Sequence, residues 1–357
     1  MPRGPESAAG APGTRPPTMA DVAQRAGVSH QTVSRVLSDH PHVREVTRIE
    51  VLRAIEELGY RRNSSARALV TRRTLTLGVV ACHPTLFGPA STLLGLEEAA
   101  REEGYMVSTV NLRRYTRSAL SDAIDHLRDR GVEGIVVIVP QREAVSALKE
   151  LKVPLPMVTV EGGHDLEIPS VSVDQQLGAR LATGHLLAAG HPTVWHVAGP
   201  MDWLEAEARC SGWRAALKEA GAPVPEPLVG DWTPLSGYRI GQELAGRVAT
   251  NAAQPHAQGP TAVFVANDQM ALGVLRALRE AGLSVPDDVA VVGFDDIPEA
   301  EFFLPPLTTI RQNFTAVGQA SIGLLVSLLD TNATRPGERV VIPPSLIIRA
   351  SSVPAAR

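Results

Sequence analysis

"ADVAQRAGVSHQTVSRVLSD", residues 20–39, decides how the chain begins. Counted from Met19, the apolar residues Met19, Val22, Ala23 and Ala26 keep the spacing of one helical face. Gly27-Val28 breaks that helix, and Ser29 is placed to cap the next by accepting a bond from a free amide. The second helix carries Val33, Val36 and Leu37 on one side and His30, Gln31, Ser34 and Arg35 on the other. A third fits Thr47–Leu58, with Ile49, Leu52, Ile55 and Leu58 inward and Gly59 as its stop. Two short helices around a glycine turn, braced by a third, form a helix-turn-helix.

Charge separates this head from the rest. Residues 1–73 hold 12 Arg against 7 Asp and Glu, whereas the remainder holds 22 basic and 31 acidic residues, within a net charge of −4. A basic head on an acidic body suits a polyanion partner. The side chains on the second helix suit DNA: Gln and Arg can each bond a base edge at two points, and Ser or Thr can hold phosphates. His30 and Gln31 sit near the helix start, from which such a helix reaches bases. A small helical bundle used only for packing is the competing reading, but turn, cap, polar face and charge all agree on DNA.

The residues Asp21-Val22-Ala23, Ala26-Gly27-Val28-Ser29 and Thr32-Val33-Ser34-Arg35-Val36, continuing through "LGYRRNSSARALVTRRT", resemble the head of the lac repressor/galactose repressor (LacI/GalR) family. The resemblance implies DNA contacts from Ser29, His30, Gln31, Thr32, Ser34, Arg35, His42, Thr47, Asn63, Ala66 and Arg67. It also implies that Ser64–Val70 forms a hinge helix on DNA, with Leu69 wedged into the minor groove. An apolar wedge that unstacks one base step and bends the duplex is physically sound. By residue type alone, that segment reads as a polar linker. His30 replaces a tyrosine of the family pattern, which leaves the operator open.

From Leu75 the pattern changes. Apolar runs such as "LTLGVVA", "GIVVIV", "PMVTV", "TAVFVA" and "VAVVGF" alternate with helical stretches, including Leu93–Glu103, Ser118–Arg130 and Gln269–Ala281. Strands alternating with helices imply parallel sheets covered on both faces, with ligands bound beyond the strand ends. The expected fold class is therefore α/β: a helix-turn-helix head, then a two-lobed, periplasmic-binding-protein-like effector domain of doubly wound parallel sheets. The expected division is a leader over 1–17, the head over 18–62, a hinge and linker over 63–74, the effector domain over 75–350 and a tail over 351–357. The resemblance places one lobe at about 75–173 plus 306–330, and the other at about 174–305 plus 331–350.

"ARCSGW", "GDWTPLSGY", "FVANDQMALGVLRAL", "VAVVGFDDIP" and "PPLTTIRQNF" are closer to the lactose-responsive than to the purine-responsive members of the family. They imply effector contacts from Arg209, Asn267, Asp295 and Gln312, with Trp232 as an aromatic wall and Glu161 in the pocket. Those residue types suit a sugar. A carboxylate accepts from two hydroxyls, an amide donates and accepts, Arg donates in a fixed fork, and an indole covers C–H groups. Trp232 as a packing residue, and Asn267, Asp295 and Asp296 as helix caps, are the competing readings. Glu161 stands where the lactose-responsive member has a shorter carboxylate, and Glu205 where it has a small hydroxyl residue, so the exact sugar is open.

The chain contains no G-x-G-x-x-G, G-x-x-x-x-G-K, G-x-S-x-G or H-E-x-x-H motif, and its ten His residues show no metal-ligand spacing. Neither catalysis, a cofactor nor a metal is expected. The first residues lack the apolar core of a signal peptide, and no apolar run of the roughly 18 residues a membrane span needs was found, so a cytoplasmic protein is expected. Cys82 and Cys210 are expected as free thiols. The short tail after the last strand leads us to expect a homodimer, with Phe87–Pro89 and the helix after them at its interface. The expected function is a transcriptional repressor released from a pseudo-palindromic operator when a small sugar, best a galactoside, binds between the lobes. The alternative is a sugar-binding component of transport or chemotaxis.

Overall fold

The computed structural model describes residues 17–60, 73–82, 85–162, 166–253, 259–331 and 336–353, with the backbone alone at 250–253. The chain divides into two units at Thr74.

In the first unit, α1 (Met19–Ala26), α2 (His30–Leu37) and α3 (Glu45–Leu58) enclose Val22, Val33, Val36, Val51, Ala54 and Tyr60. Thr18 and Asp21 form a reciprocal capping box at the start of α1, which satisfies free amides there. Gly27 closes α1 at φ 65°, a left-handed conformation that a side chain disfavours and that turns the chain into α2. Ser29 Oγ accepts from Thr32 N at 3.2 Å, capping α2. Arg48 of α3 donates to Asp39 and to the carbonyl of His40, fixing the loop before α3.

Two details of α3 differ from expectation. It begins at Glu45 rather than Thr47. Its inward stripe is Val51, Ala54, Ile55 and Leu58, while Ile49 and Leu52 are 58% and 51% exposed. Apolar residues occupy two faces of this helix, and spacing alone cannot say which meets α1 and α2. The family-implied contacts at Asn63, Ala66, Arg67 and Leu69 lie outside the described residues.

The second unit has two lobes. In the first, six parallel strands run in the order β2 (Met106–Leu112), β1 (Thr76–Cys82), β3 (Gly134–Ile138), β4 (Met157–Val160), β5 (Ser170–Val173), β11 (Arg339–Ile342). Successive side chains of a strand point to opposite faces. Leu77, Val79 and Ala81 therefore pack with α4 (Phe87–Glu102) and α11 (Phe314–Thr331), and Val80 and Cys82 with α5 (Arg117–Asp129) and α6 (Arg142–Lys149).

In the second lobe the parallel order is β7 (Leu228–Val229), β6 (Trp195–Ala198), β8 (Ala262–Val265), β9 (Ala290–Val292). α7 (Gln175–Ala188) and α8 (Leu204–Glu219) cover one face, while α9 (Pro234–Ala253) and α10 (Asp268–Glu280) cover the other. Cys82 and Cys210 are both buried, and neither is in a disulfide among the described residues.

The chain crosses between lobes at three places, and two of them differ from the expected division. β10 (Thr309–Arg311) pairs with β12 (Ser345–Ile347) and joins the second lobe through Gly293 N→Thr308 O and Asp295 N→Ile310 O, both 2.8 Å. Residues 306–311 thus leave the first lobe. β11 pairs with β5, so 339–342 leave the second. The physical cause is hydrogen-bond register: each short strand goes to the sheet edge with free backbone groups. The third crossing follows β5, at Asp174, whose carboxylate caps α7.

Contrary to the sequence reading, one helix among the described residues, α11, is long and apolar enough by composition to cross a membrane. Its Val317, Ile322, Leu325 and Leu328 are buried in the first lobe's core.

Candidate effector site and nucleic-acid face

On α2, His30, Gln31, Ser34 and Arg35 are exposed, opposite buried Val33 and Val36. Ser29 and His42 are exposed as well, and Thr32 and Thr47 half-buried. Gln31 lies in the first turn of α2, and the head thus presents one polar helix face with an amide and a guanidinium one turn apart. His42 N donates to His40 Nδ1 at 3.3 Å, so the loop before α3 is locally ordered.

The second site lies at the junction of the lobes. Arg209 projects from α8 and is 4% exposed. Its Nε donates to Gln175 Oε1 at 2.9 Å, Nη1 donates to the carbonyl of Ala266, and Nη2 stands 3.8 Å from Asp295 Oδ1. Its guanidinium lies 3.8 Å from the ring centre of Phe294 and 5.7 Å from that of Trp232. Gln312 Nε2 donates to Asp295 Oδ1 at 2.7 Å, and Gln175 Nε2 donates to Gln312 Oε1 at 2.9 Å. Arg209, Gln175, Gln312 and Asp295 thus form a buried run of three hydrogen bonds whose two ends, Arg209 and Asp295, face each other as an ion pair at 3.8 Å. Such a connected network fixes each member's position.

Beside it is a cavity of about 40 Å³ lined by Leu86, Phe87, Pro89, Trp203, Glu205, Trp232, Asn267 and Asp295, among others. Trp203 and Trp232 meet edge-to-face at 5.7 Å. Glu205 Oε2 and Trp232 Nε1 are buried without a hydrogen-bond partner among the described residues. A second, larger cavity, of about 570 Å³, reaches Glu161, Gln175 and Asp174 from the other side.

Burial raises three carboxyls here. Asp295 rises to about 6, with Arg209 and Gln312 opposing. Glu161 rises to about 7, opposed by the Val173 amide, which donates to Oε1 at 2.9 Å, and by Arg209. Glu205 rises to about 8, through burial and then repulsion from Glu161. Asp268 is also raised, by burial and then Asp295, but its oxygens accept from Ile297 N and Thr309 Oγ1 and tie α10 to β10.

Of the residues singled out in the sequence, Arg209, Trp232, Asn267 and Asp295 line the small cavity. Gln312 lines neither cavity and acts on the site through Asp295. Glu161 lines the larger cavity. Asn267 is also the N-cap of α10: Oδ1 accepts from Met270 N, and Nδ2 donates to the carbonyl of Trp232 at 3.1 Å. The competing reading of Asn267 as a cap is therefore correct, and the cap also holds the aromatic wall. Asp296 pairs with Arg311 and Arg349 and is structural. Phe87 and Pro89 stand at the cavity, beyond the interface role implied for them.

Sequence reasoning missed Gln175 and Trp203. Gln175 follows Asp174, which opens α7 after β5, and Trp203 follows β6; a search of strand ends would have found both.

A head with a helix-turn-helix and a two-lobed body with a polar, aromatic-walled cleft define a ligand-responsive DNA-binding protein. Comparison with known proteins is specific. Residues 18–63 match the model for bacterial regulatory proteins of the lacI family, and residues 183–352 match a periplasmic binding protein-like domain. The lactose operon repressor of Escherichia coli (strain K12) is 33% identical, with 95% of this chain and 91% of that protein covered. The HTH-type transcriptional regulator CelR of Thermobifida fusca is 36% identical, covering 94% and 98%. A crystal structure of the lac repressor dimer bound to operator and the anti-inducer ONPF superposes with a TM-score of 0.80 at 32% identity, covering 95% of this chain and 100% of the other. The chain belongs to the lacI family: it is a DNA-binding transcriptional repressor with a sugar-binding effector domain.

Proposed function

We propose that the chain, as a homodimer, occupies a pseudo-palindromic operator and leaves it when a small sugar, best a galactoside, binds between the lobes. The carrying observation is the buried network of Arg209, Gln175, Gln312 and Asp295 beside the indole of Trp232. It brings a guanidinium, a carboxylate, amides and an aromatic face together at the cleft, groups that suit a pyranose. Two heads on a symmetric dimer match two half-sites. Ser29, Thr32, Ser34, His42, Thr47, Asn63, Ala66 and Arg67 hold the backbone, His30, Gln31 and Arg35 read bases, and Leu69 wedges the minor groove. This division of roles follows residue chemistry and the family pattern.

Binding in the cleft favours one arrangement of the two lobes over another. A ligand shifts such an equilibrium only by its differential affinity for the two states.

The test is fluorescence anisotropy of the full chain on DNA selected from a random pool, titrated with a sugar panel. Release by a sugar of galactose configuration at lower concentration than by its epimers is expected. Release by another sugar at equal or lower concentration removes the galactoside; DNA selection without any consensus removes the operator reading.

A further inference from the structure

The small cavity carries an imbalance that a neutral sugar does not correct. Two carboxyls, Glu205 and Asp295, line the small cavity with one cation, Arg209, and a third, Glu161, lines the larger cavity. Arg209 is spoken for by Gln175, Ala266 and Asp295. Glu161 Oε1 accepts from the Val173 amide. Glu205 differs: Oε2 is buried and has no partner among the described residues. An independent sign of a ligand is the indole of Trp232. It is 7% exposed and lines the same cavity, and its Nε1 has no acceptor among the described residues.

A ligand that satisfies both must pair with Glu205 Oε2 and supply an acceptor to Trp232. A hydroxyl can do both, but leaves Glu205 without a cation, since Arg209 faces Asp295. An ammonium group donates to Glu205 as its carboxylate, the stronger, charge-assisted bond. The ring oxygen or a hydroxyl of the same ligand accepts from Trp232 Nε1. We propose that the effector is an amino sugar: a pyranose whose free amine, as ammonium, pairs with Glu205 beside Asp295. This deepens the reading of the body as a sugar-binding domain and rests on it. No bond is made or broken. Burial raises Glu205 to about 8, so the proton it holds at neutral pH leaves to solvent when the ammonium binds.

The experiment is isothermal titration calorimetry on the full-length protein at neutral pH. The probes are galactosamine and glucosamine, each beside its parent hexose and its N-acetyl form. A charge-assisted bond exceeds a neutral one by about 1 kcal/mol or more, so the amines should bind about tenfold more tightly than either counterpart. Titration in buffers of different ionisation heat should show proton release for the amines alone. Glu205→Gln should collapse the ratio of amine to parent affinity toward one. The ratio in the unaltered protein stands as a test even if that variant fails to fold.

A parent or N-acetyl sugar binding as tightly as its amine overturns the proposal. So does an unchanged ratio in Glu205→Gln. If a neutral sugar releases the operator, the sugar-responsive reading stands and the amine inference alone falls. If no sugar of either kind binds, both fall.

Discussion

Gly199→Ala tests whether the wall of the cleft stands where the structure puts it. A Cβ on Gly199 would lie 2.1 Å from Trp232 Cη2, 2.3 Å from Cζ2 and 2.5 Å from Cζ3. Carbon atoms rest at about 3.5–4.0 Å, so the indole would have to withdraw by roughly 1.5 Å. Withdrawal is resisted from three sides. Trp203 meets the ring edge-to-face, Arg209 lies 5.7 Å from its centre, and Asn267 holds the backbone carbonyl of Trp232. An extra methyl in such packing costs about 1–3 kcal/mol.

Two measurements separate where that cost falls. The urea midpoint should drop with m unchanged, because the fold is retained. Sugar affinity, measured by calorimetry, should fall about 5- to 150-fold if the bound state needs the indole in place. Operator affinity should hold. A variant with the stability and sugar affinity of the unaltered chain would refute the reasoning, because Trp232 would then not bound the site.

Three further outcomes are expected. Gln31→Ala should relax sequence preference by about 1–3 kcal/mol at one base pair, whereas binding of the unaltered chain should weaken steeply with salt; equal affinity of the variant for correct and mutated operator is the check, and a flat plot of log K against log[salt] would contradict phosphate contact. His196 is fully buried, stacks on Phe264 at 4.7 Å, and is pushed by burial to about 3, with only its bond to the Phe264 carbonyl opposing strongly. A ring held neutral in the fold contributes stability above its ordinary value of about 6.5, and loses about 1.4 kcal/mol for each pH unit below that, down to about 3. The stability gap between the unaltered chain and His196→Leu should therefore shrink on going from neutral pH to pH 5, and a gap independent of pH would show that His196 does not titrate with unfolding.

Much of the fold was legible because the relevant signals are local. A glycine turn, a serine cap and a polar stripe define α1 and α2 within twenty residues. The alternation of apolar runs with amphipathic stretches defines the parallel sheets. What was not legible depended on partners far along the chain. Nothing near β11 says that it pairs with β5 rather than with the second lobe, since that choice is made by which sheet edge has free amides. Ile49 and Leu52 were misplaced because α3 has two apolar stripes, and only the packing of α1 and α2 selects one. Within the site, residue type pointed to Arg209, Trp232 and Asp295. The part of Gln175 was hidden because its partners, Arg209 and Gln312, come from α8 and from the crossing after β10.

Backbone strain shows why these particular side chains converge. Among the described residues, six other than glycine have a positive φ of the kind that favours glycine: Asp39, Leu75, Glu161, Trp232, Asp295 and Asp296. Four of these follow strand ends, and three of the four, Glu161, Trp232 and Asp295, line the two cavities. Such conformations cost about 1–3 kcal/mol each, so they persist only where surrounding contacts over-determine them. Here those contacts are visible. Glu161 N donates to Val171 O at 3.0 Å while its side chain accepts from Val173 N. Trp232 is held through its carbonyl by Asn267, Asp295 by Ile310 and Gln312, and Asp296 by Arg311 and Arg349. A relaxed strand end would continue its side-chain alternation, sending these groups into the sheet faces rather than across its edge. The left-handed turn breaks the alternation and aims them into the space between the lobes. Asp295 joins the two requirements: one oxygen accepts from Gln312 and faces Arg209, while its strained backbone is anchored to β10, the strand that leads into the crossing between lobes. A ligand that moved Asp295 would pull on that crossing directly, which is the coupling an effector site requires.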